Sequence, residues 1–501
     1  MDEIKRYKRN LLMFPLGTVG RDMVYSLVTY FLLTYVLFTR ELTEGQFTAI
    51  TAIMVGARVF DALNDPIMGN IIERTRTKYG KFKPWIVAGM ISTSLVIYAM
   101  FNVKLQGWSF VWFFGAVYFL YSITYTMGDI SYWGMIPSLG SDSDARNTFT
   151  ARTTLFAGIG GTAASIFIPM LTTGGKAIGG STTVAYGRIA LVIAILCPAF
   201  LCFVLFGVRE NRAYNAEPVP PVSFKKIWST ITGNKQLLWI ALIFLIHEIG
   251  NAIVTAGVGS TYIYFEFGYE GGLYSLFTTI GMSVTALLMI FYPAISRKVP
   301  RKKFMRTLFI VSIAGYAVML LSGLILRSGA TKLLGMDLKF LLITLGYMLA
   351  NFGQYGFYLI LMISVFNTVE YNEYVHGVRD EGIITSMRPF LTKLASALTI
   401  VIVYATYLIT GVIKVTNQIS SLENAAAARH ITEADKLAQI GELLKDVSHA
   451  QSTGLLLVMV IVPLALMGLT YLLYLKHYDL DEPEYDRICA ELKARREGVE
   501  K

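Results

Sequence analysis

One helical turn of an otherwise apolar stretch carries two carboxylates and an amide: Arg58-Val59-Phe60-Asp61-Ala62-Leu63-Asn64-Asp65-Pro66-Ile67-Met68-Gly69. Residues three and four apart on a helix share a face, so Asp61, Asn64 and Asp65 converge, with Arg58 one turn earlier. Such an oxygen cluster suits a hard monovalent cation, Na⁺ or Li⁺. It suits H⁺ equally, because two close carboxylates readily share one proton. A single Arg58 cannot satisfy both acids, so a plain ion pair does not explain the set.

A second constellation lies in Tyr125-Thr126-Met127-Gly128-Asp129-Ile130-Ser131-Tyr132-Trp133. Asp129 and Trp133 are four apart and face one way. A carboxylate that accepts hydroxyls, beside an indole that offers a flat apolar face, is the chemistry a sugar requires. Thr126 adds a candidate oxygen for the cation. Arg21-Asp22 with Tyr25, then Arg152, Arg388 and Lys393, place further charge inside apolar segments. Ionisable groups at membrane depth cost at least about 2.5–3.5 kcal/mol each, so they need a reason. His247-Glu248 with Asn251 adds polar lining, or equally a helix–helix hydrogen bond.

The elements that must position these groups are transmembrane helices. The 501 residues are 54% apolar and only 16% charged, with a mean hydropathy of +0.53. An ordinary soluble domain carries about 25% charged residues. Apolar runs long enough to span a bilayer occur near 11–38, 45–72, 84–104, 108–137, 147–172, 184–208, 237–267, 271–296, 304–326, 338–368, 382–413 and 452–475. The first of these reads as a retained span rather than a removed signal. Basic residues cluster in alternate loops: Arg74 to Lys83, Arg209 to Lys235, and Arg297 to Arg306. The intervening loops hold few, as the positive-inside rule demands, which puts both termini in the cytoplasm. The net charge of +10 is thereby explained by orientation, and no nucleic-acid partner is expected.

The expected fold is an all-α membrane protein of twelve spans in two six-helix bundles. Residues 1–208 form the first bundle, 209–236 a cytoplasmic linker, 237–476 the second bundle, and 477–501 a cytoplasmic tail. Residues 415–451 form the longest outside loop, with an amphipathic helix around Glu433–Leu444 as a cap. Gly80-Lys81-Phe82-Lys83 and Pro300-Arg301-Lys302-Lys303-Phe304 echo each other between the halves, a mark of transporter folds. Gly158-Ile159-Gly160-Gly161 lies inside a span and reads as helix packing, not as a dinucleotide site. No nucleotide loop, disulfide framework or Cys/His metal spacing is found.

Asp61-Ala62-Leu63-Asn64-Asp65-Pro66-Ile67-Met68-Gly69 followed by Gly80-Lys81-Phe82-Lys83-Pro84-Trp85 resembles the glycoside-pentoside-hexuronide:cation symporters of the major facilitator superfamily, the melibiose permease-like group. Arg21-Asp22, Tyr125-Thr126-x-x-Asp129, Glu373, Arg379, Glu381 and Lys393 extend the likeness over nearly the whole chain. The resemblance implies a cation site of Asp61, Asn64, Asp65 and Thr126, which would hold Na⁺ if Na⁺ is the ion. It implies sugar contacts from Arg21, Asp22, Tyr125, Asp129, Trp133, Arg152, Tyr358 and Arg388, and coupling roles for Lys393 and Arg58. Tyr358, Arg388 and Pro389 depart from the residues melibiose permease keeps there, which leaves the sugar class open.

The expected function is sugar:cation symport, inward and by alternating access, in a multi-pass protein of a bacterial inner membrane. The coupling ion is Na⁺ or H⁺, with Li⁺ a third candidate, and no other cofactor is expected. The partners are a small sugar or glycoside, the cation and the bilayer, and the working unit is a monomer. Arg388 beside Arg152 and Lys393 raises the alternative of an anionic hexuronide. A lysolipid carrier or a non-transporting sensor on the same fold are further alternatives, and an enzyme is not expected.

Overall fold

The computed structural model describes residues 3–139, 143–209, 224–296, 298–333 and 335–499. Among these, eleven helices are long and apolar enough to cross a membrane, and a bent pair makes a twelfth span. That pair is span 1, where Lys5–Tyr30 and Leu32–Thr39 meet at 50°. Span 2 is Glu44–Arg74, span 3 Lys83–Asn102, span 4 Gly107–Gly134, span 5 Ser143–Thr172 and span 6 Thr182–Cys202. Span 7 is Lys235–Ala252 and Gly259–Phe267, separated by a π-helical turn at Val254–Val258. Span 8 is Gly271–Ser296, span 9 Arg301–Ile325, span 10 Leu338–His376, span 11 Glu381–Thr410 and span 12 His449–His477.

Local sequence explains the ends. Thr43 caps span 2 through a reciprocal box with Gln46: the Gln46 N–H donates to Thr43 Oγ1, and the Thr43 N–H donates to Gln46 Oε1. Asp337 caps span 10 by accepting from the backbone N–H groups of Lys339 and Phe340. Gly160 shows why the glycine run of span 5 exists, since a Cβ there would lie 2.3 Å from the Val19 carbonyl oxygen of span 1. It is a close helix contact, as the sequence suggested.

The all-α reading meets one small departure, a two-stranded hairpin pairing Lys332–Leu333 with Met336–Asp337. Most of the expected linker, residues 210–223, lies outside the described residues, and its far end forms a helix over Phe224–Gly233. The tail forms a helix over Glu482–Val499.

The chain divides into two compact units whose limits follow contact rather than chain order. Unit 1 is Met1–Pro221 with Ile263–Leu276 and Tyr407–Gln451; unit 2 is Val222–Tyr262, Phe277–Thr406 and Ser452–Lys501.

In unit 1 the connection between spans 11 and 12 forms two helices, Val412–Ala427 and Glu433–Lys445. The second was expected from its period; the first was not. Thr432 caps the second by accepting from the Asp435 N–H. The first is tied to the ends of spans 1 and 6, and the second to the residues just before span 6. The Leu42 N–H donates to Asn417 Oδ1 at 2.9 Å, and Asn417 Nδ2 donates back to the Leu42 carbonyl at 2.8 Å. The Thr182 N–H donates to Glu423 at 2.6 Å, and Lys436, fully buried like Glu423, donates to the same carboxylate at 3.3 Å and to the Gly180 carbonyl at 2.9 Å.

Unit 2 has its own apolar core, with Phe244, Leu308, Phe357, Ile360 and Ile384 at its centre. Its tail helix is fastened to the start of span 9. The Arg301 N–H donates to Glu482 at 2.6 Å, the guanidinium pairs with the same carboxylate at 3.2 Å, and Lys302 pairs with Asp481 at 3.1 Å.

Candidate functional site

Span 2 and span 4 of unit 1 meet at Asp61, one of the acids read from the sequence. Asp61 is buried, and its Oδ1 accepts hydrogen bonds from Ser122 Oγ and, at 3.2 Å, from Thr126 Oγ1. Thr126 therefore meets Asp61. Ser122 is an oxygen that the sequence reading missed. It stands four residues before Thr126, so one face of span 4 delivers both hydroxyls to one carboxylate. Asn64 and Asp65 are half-buried on the same helix as Asp61, and the Asn64 amide nitrogen is shut away from water without a hydrogen-bond partner. An oxygen set of one carboxylate and two hydroxyls, with an amide and a second carboxylate one turn on, matches the donor preference of a hard cation. The two hydroxyls now donate to Asp61; rotation about their C–O bonds would turn lone pairs toward an incoming ion.

Arg58 is buried too, but it closes no ion pair with Asp61. Its charge acts on Asp61 from further off, and on the hydroxyls of Tyr25, Tyr118 and Tyr121. A plain ion pair, which the two acids already spoke against, is not what the side chains form. It lies in a tyrosine-lined wall, part of a ring stack in which Tyr121 and Tyr125 are 5.5 Å apart and Tyr25 and Tyr125 6.0 Å.

One turn along span 4 is a second cluster. Arg21 of span 1 pairs with its neighbour Asp22 at 2.7 Å and with Asp129 of span 4 at 3.0 Å. Its guanidinium also lies 5.0 Å from the Tyr132 ring centre and 5.1 Å from that of Trp133, a cation–π arrangement. Asp129 thus has a partner in the fold, which spacing alone did not show. Arg21 is 3% exposed, while Asp129 keeps 34% of its side chain open. The carboxylate is accessible and its counter-charge is not. That asymmetry leaves Asp129 able to accept further hydrogen bonds. Tyr125 adjoins this group and interacts electrostatically with Arg21, Asp22 and Asp129. Arg152 on span 5 is exposed and makes no hydrogen bond or ion pair among the described residues, so the structure does not gather it into the cluster.

Tyr358, Arg388 and Lys393 belong to unit 2. Tyr358 is half-buried, its ring 5.5 Å from Tyr355 and 5.9 Å from Phe244. Arg388 is exposed on span 11, and Lys393, five residues further, is half-buried.

Residues 13–482 match the family described as MFS/sugar transport protein. The chain belongs to this family. As a member of it, the chain is 29% identical over 426 residues to the lactose permease of Leuconostoc lactis, covering 78% of this chain and 62% of that one. It is 25% identical over 456 residues to the raffinose carrier protein of Pediococcus pentosaceus, covering 87% of this chain and 67% of the carrier. The chain spans about three fifths of the length of the lactose permeases it matches, 62%, 60% and 61% for three of them. A nucleoside transporter of solved structure superposes with a TM-score of 0.60 over 93% of this chain and 99% of the other, at 11% identity, a likeness of fold alone. This member of the family is a multi-pass membrane protein whose helices follow the spans expected from its hydropathy.

Proposed function

We propose that this MFS protein is a glycoside:cation symporter that moves a sugar inward with Na⁺ or H⁺ by alternating access, in a bacterial inner membrane with both termini in the cytoplasm. Asp61, Asn64, Asp65, Ser122 and Thr126 hold the cation. Asp22, Asp129 and Trp133, oriented by Arg21 and flanked by Tyr125, hold the sugar, with Arg152 as a further contact. Arg58 tunes the cation site. The similarity to a lactose permease and a raffinose carrier supports a glycoside as cargo.

The observation that carries the reading is the spacing along span 4. Thr126 reaches Asp61, and Asp129, three residues on, reaches Arg21. The two clusters therefore share one helical face a single turn apart. Without a cation the acids of span 2 repel one another, and an ion relieves that repulsion. Span 4 then settles against span 2, and the same rigid turn sets the position of Asp129. Tighter sugar binding with cation must be matched by tighter cation binding with sugar, since coupling is reciprocal.

The test is uptake into inside-negative vesicles, with Na⁺, Li⁺ and pH varied separately over a panel of glycosides. The reading expects concentrative uptake that one of these ions drives, and its loss in Asp65→Cys with weak sugar binding and downhill exchange retained. Undiminished ion-driven accumulation by that variant would remove Asp65 from the coupling site.

A further inference from the structure

The acids and the arginine of the unit 1 sugar cluster are held from behind by two hydroxyls that have no role in the reading above. Thr18 is fully buried and stands one turn before Asp22 on span 1. Its Oγ1 donates to Asp22 Oδ2 at 2.5 Å, and Arg21 brings Nε and Nη2 to the same oxygen at 3.1 and 2.7 Å. Asp22 Oδ2 thus takes three donors, whereas Oδ1 takes none among the described residues, and 18% of the side chain is open. Tyr132 of span 4 is buried as well. Its ring lies 5.0 Å from the Arg21 guanidinium and stacks on Phe14 at 4.5 Å, and its hydroxyl donates to the Phe14 carbonyl. Gly17 separates the helical stretches Glu3–Leu16 and Thr18–Tyr30 beside that bond. A Cβ at Gly17 would fall 2.3 Å from Val204 Cγ2 and 2.9 Å from the Tyr132 hydroxyl, so a residue without a side chain makes room for it.

We propose that Thr18 and Tyr132 are positioning residues of the sugar site, buried hydroxyls that fix Asp22 and Arg21 in the pose that accepts a sugar. The proposal rests on the sugar-transport reading and adds residues which that reading lacks. Neither hydroxyl is placed to touch a sugar, since both side chains are buried and each hydroxyl donates within the protein. Their effect passes through their neighbours. An Asp carboxylate turns about a broad, two-fold torsion. Without Thr18 it is free to meet Arg21 with both oxygens, a fork-to-fork pair that leaves less for a third partner. With Thr18 on Oδ2, Oδ1 remains to accept a sugar hydroxyl in a charge-assisted bond. Tyr132 does the same for the cation of the pair. Its ring, tied through the hydroxyl to the span 1 backbone, keeps the Arg21 guanidinium between Asp22 and Asp129. A site ordered before the sugar arrives does not spend binding energy on ordering.

The split between KM and saturated rate separates positioning from mere packing. Purified wild type, Thr18→Val, Thr18→Ser and Tyr132→Phe are compared for binding and counterflow of lactose, raffinose and nitrophenyl galactosides and glucosides. Val keeps the branched shape of Thr without the hydroxyl, Ser keeps the hydroxyl, and Phe keeps the ring. Thr18→Val should raise the sugar Kd and the KM of counterflow about three- to tenfold, the scale of one side chain ordered on binding instead of beforehand. Its saturated rate should stay within about twofold of wild type. Thr18→Ser should return KM to the wild-type value, and Tyr132→Phe should raise KM about threefold. A packing role predicts the reverse: a lower melting temperature and saturated rate at unchanged KM. Wild-type Kd and KM in Thr18→Val or in Tyr132→Phe overturn the proposal, as does a Thr18→Ser defect equal to that of Thr18→Val. Should Thr18→Val fail to fold, Thr18→Ala is judged by the same criteria. A wild type that binds none of the probes overturns the sugar reading itself, and the positioning roles with it.

Discussion

Asp129 and Asp61 are both acids in span 4's neighbourhood, yet different partners hold them. Asp129 has a buried guanidinium behind it and an open edge in front. We therefore expect Asp129→Asn to lower sugar affinity tenfold or more while leaving cation affinity within about twofold, since a charged acceptor bonds hydroxyls roughly twice as strongly as a neutral one. Arg21 retains Asp22 in that variant, so the fold should persist; isothermal titration with each ligand is the check. Asp61 instead takes hydroxyls from Ser122 and Thr126. Ser122→Ala removes one of them and should weaken apparent cation affinity about three- to tenfold, with maximal transport restored at saturating ion, as cation-dependent uptake would show. The acids were legible in the sequence because a carboxylate in an apolar run is conspicuous. Ser122 was not, because a serine in a span is ordinary and its meeting with Asp61 depends on how spans 2 and 4 pack. The Arg21–Asp129 pair was hidden for the same reason, as its members come from different spans.

At the scale of elements, hydropathy located the spans but not their breaks. The apolar run at the end of span 11 continues through Val412, Ile413 and Val415, so sequence alone carries the helix onward. The chain turns instead at Gly411, whose φ of 68° is a left-handed conformation open to glycine, and a separate helix starts at Val412. The tail helix is an element whose attachment depends on pH. Burial pushes the Glu482 carboxyl up, but the Arg301 backbone N–H and guanidinium outweigh it and hold the acid below its ordinary value. Asp481 is likewise lowered, burial being outweighed by Lys302 and the Glu484 N–H. An acid depressed in the folded state contributes stability that is present above its unfolded pKa and is lost as pH falls through the folded value. The tail should accordingly loosen below about pH 4.5, near the free glutamate value, seen as faster amide exchange over Glu482–Val499. Glu482→Gln should show faster exchange at neutral pH as well.

For the whole molecule, the helices between spans 11 and 12 show opposite electrostatics. Burial pushes the Glu423 carboxyl up despite Lys436 and the Thr182 donors. Stability from a group raised in the folded state is present below the unfolded pKa and fades as pH rises through the folded one. Removing one charge of a fully buried pair strands the other, at a cost of about 3–5 kcal/mol. Glu423→Gln should thus lower the melting temperature, and Glu423→Gln with Lys436→Met should recover most of the loss; thermal unfolding in detergent of both variants decides it. The sequence showed an amphipathic helix here but gave no sign of Glu423, which looks like one more polar residue of a loop until Thr182 is packed against it.

The ties that fasten this segment also order events in time. Thr182 and Glu423 are 241 residues apart, Leu42 and Asn417 375, and Thr39 and Asn424 385. Synthesis runs from the N-terminus, so the ends of spans 1 and 6 enter the membrane long before their partners exist. Closing loops of that length late makes the contacts slow to form. Until residues 423 and 436 have been made, the Thr182 N–H and the Gly180 carbonyl must rely on water or on lipid headgroups. Unit 1 is thus begun by the first residues of the chain and completed by some of its last, and a nascent chain halted before residue 412 would present a half-finished edge of hydrogen-bonding groups to the quality-control machinery of the cell.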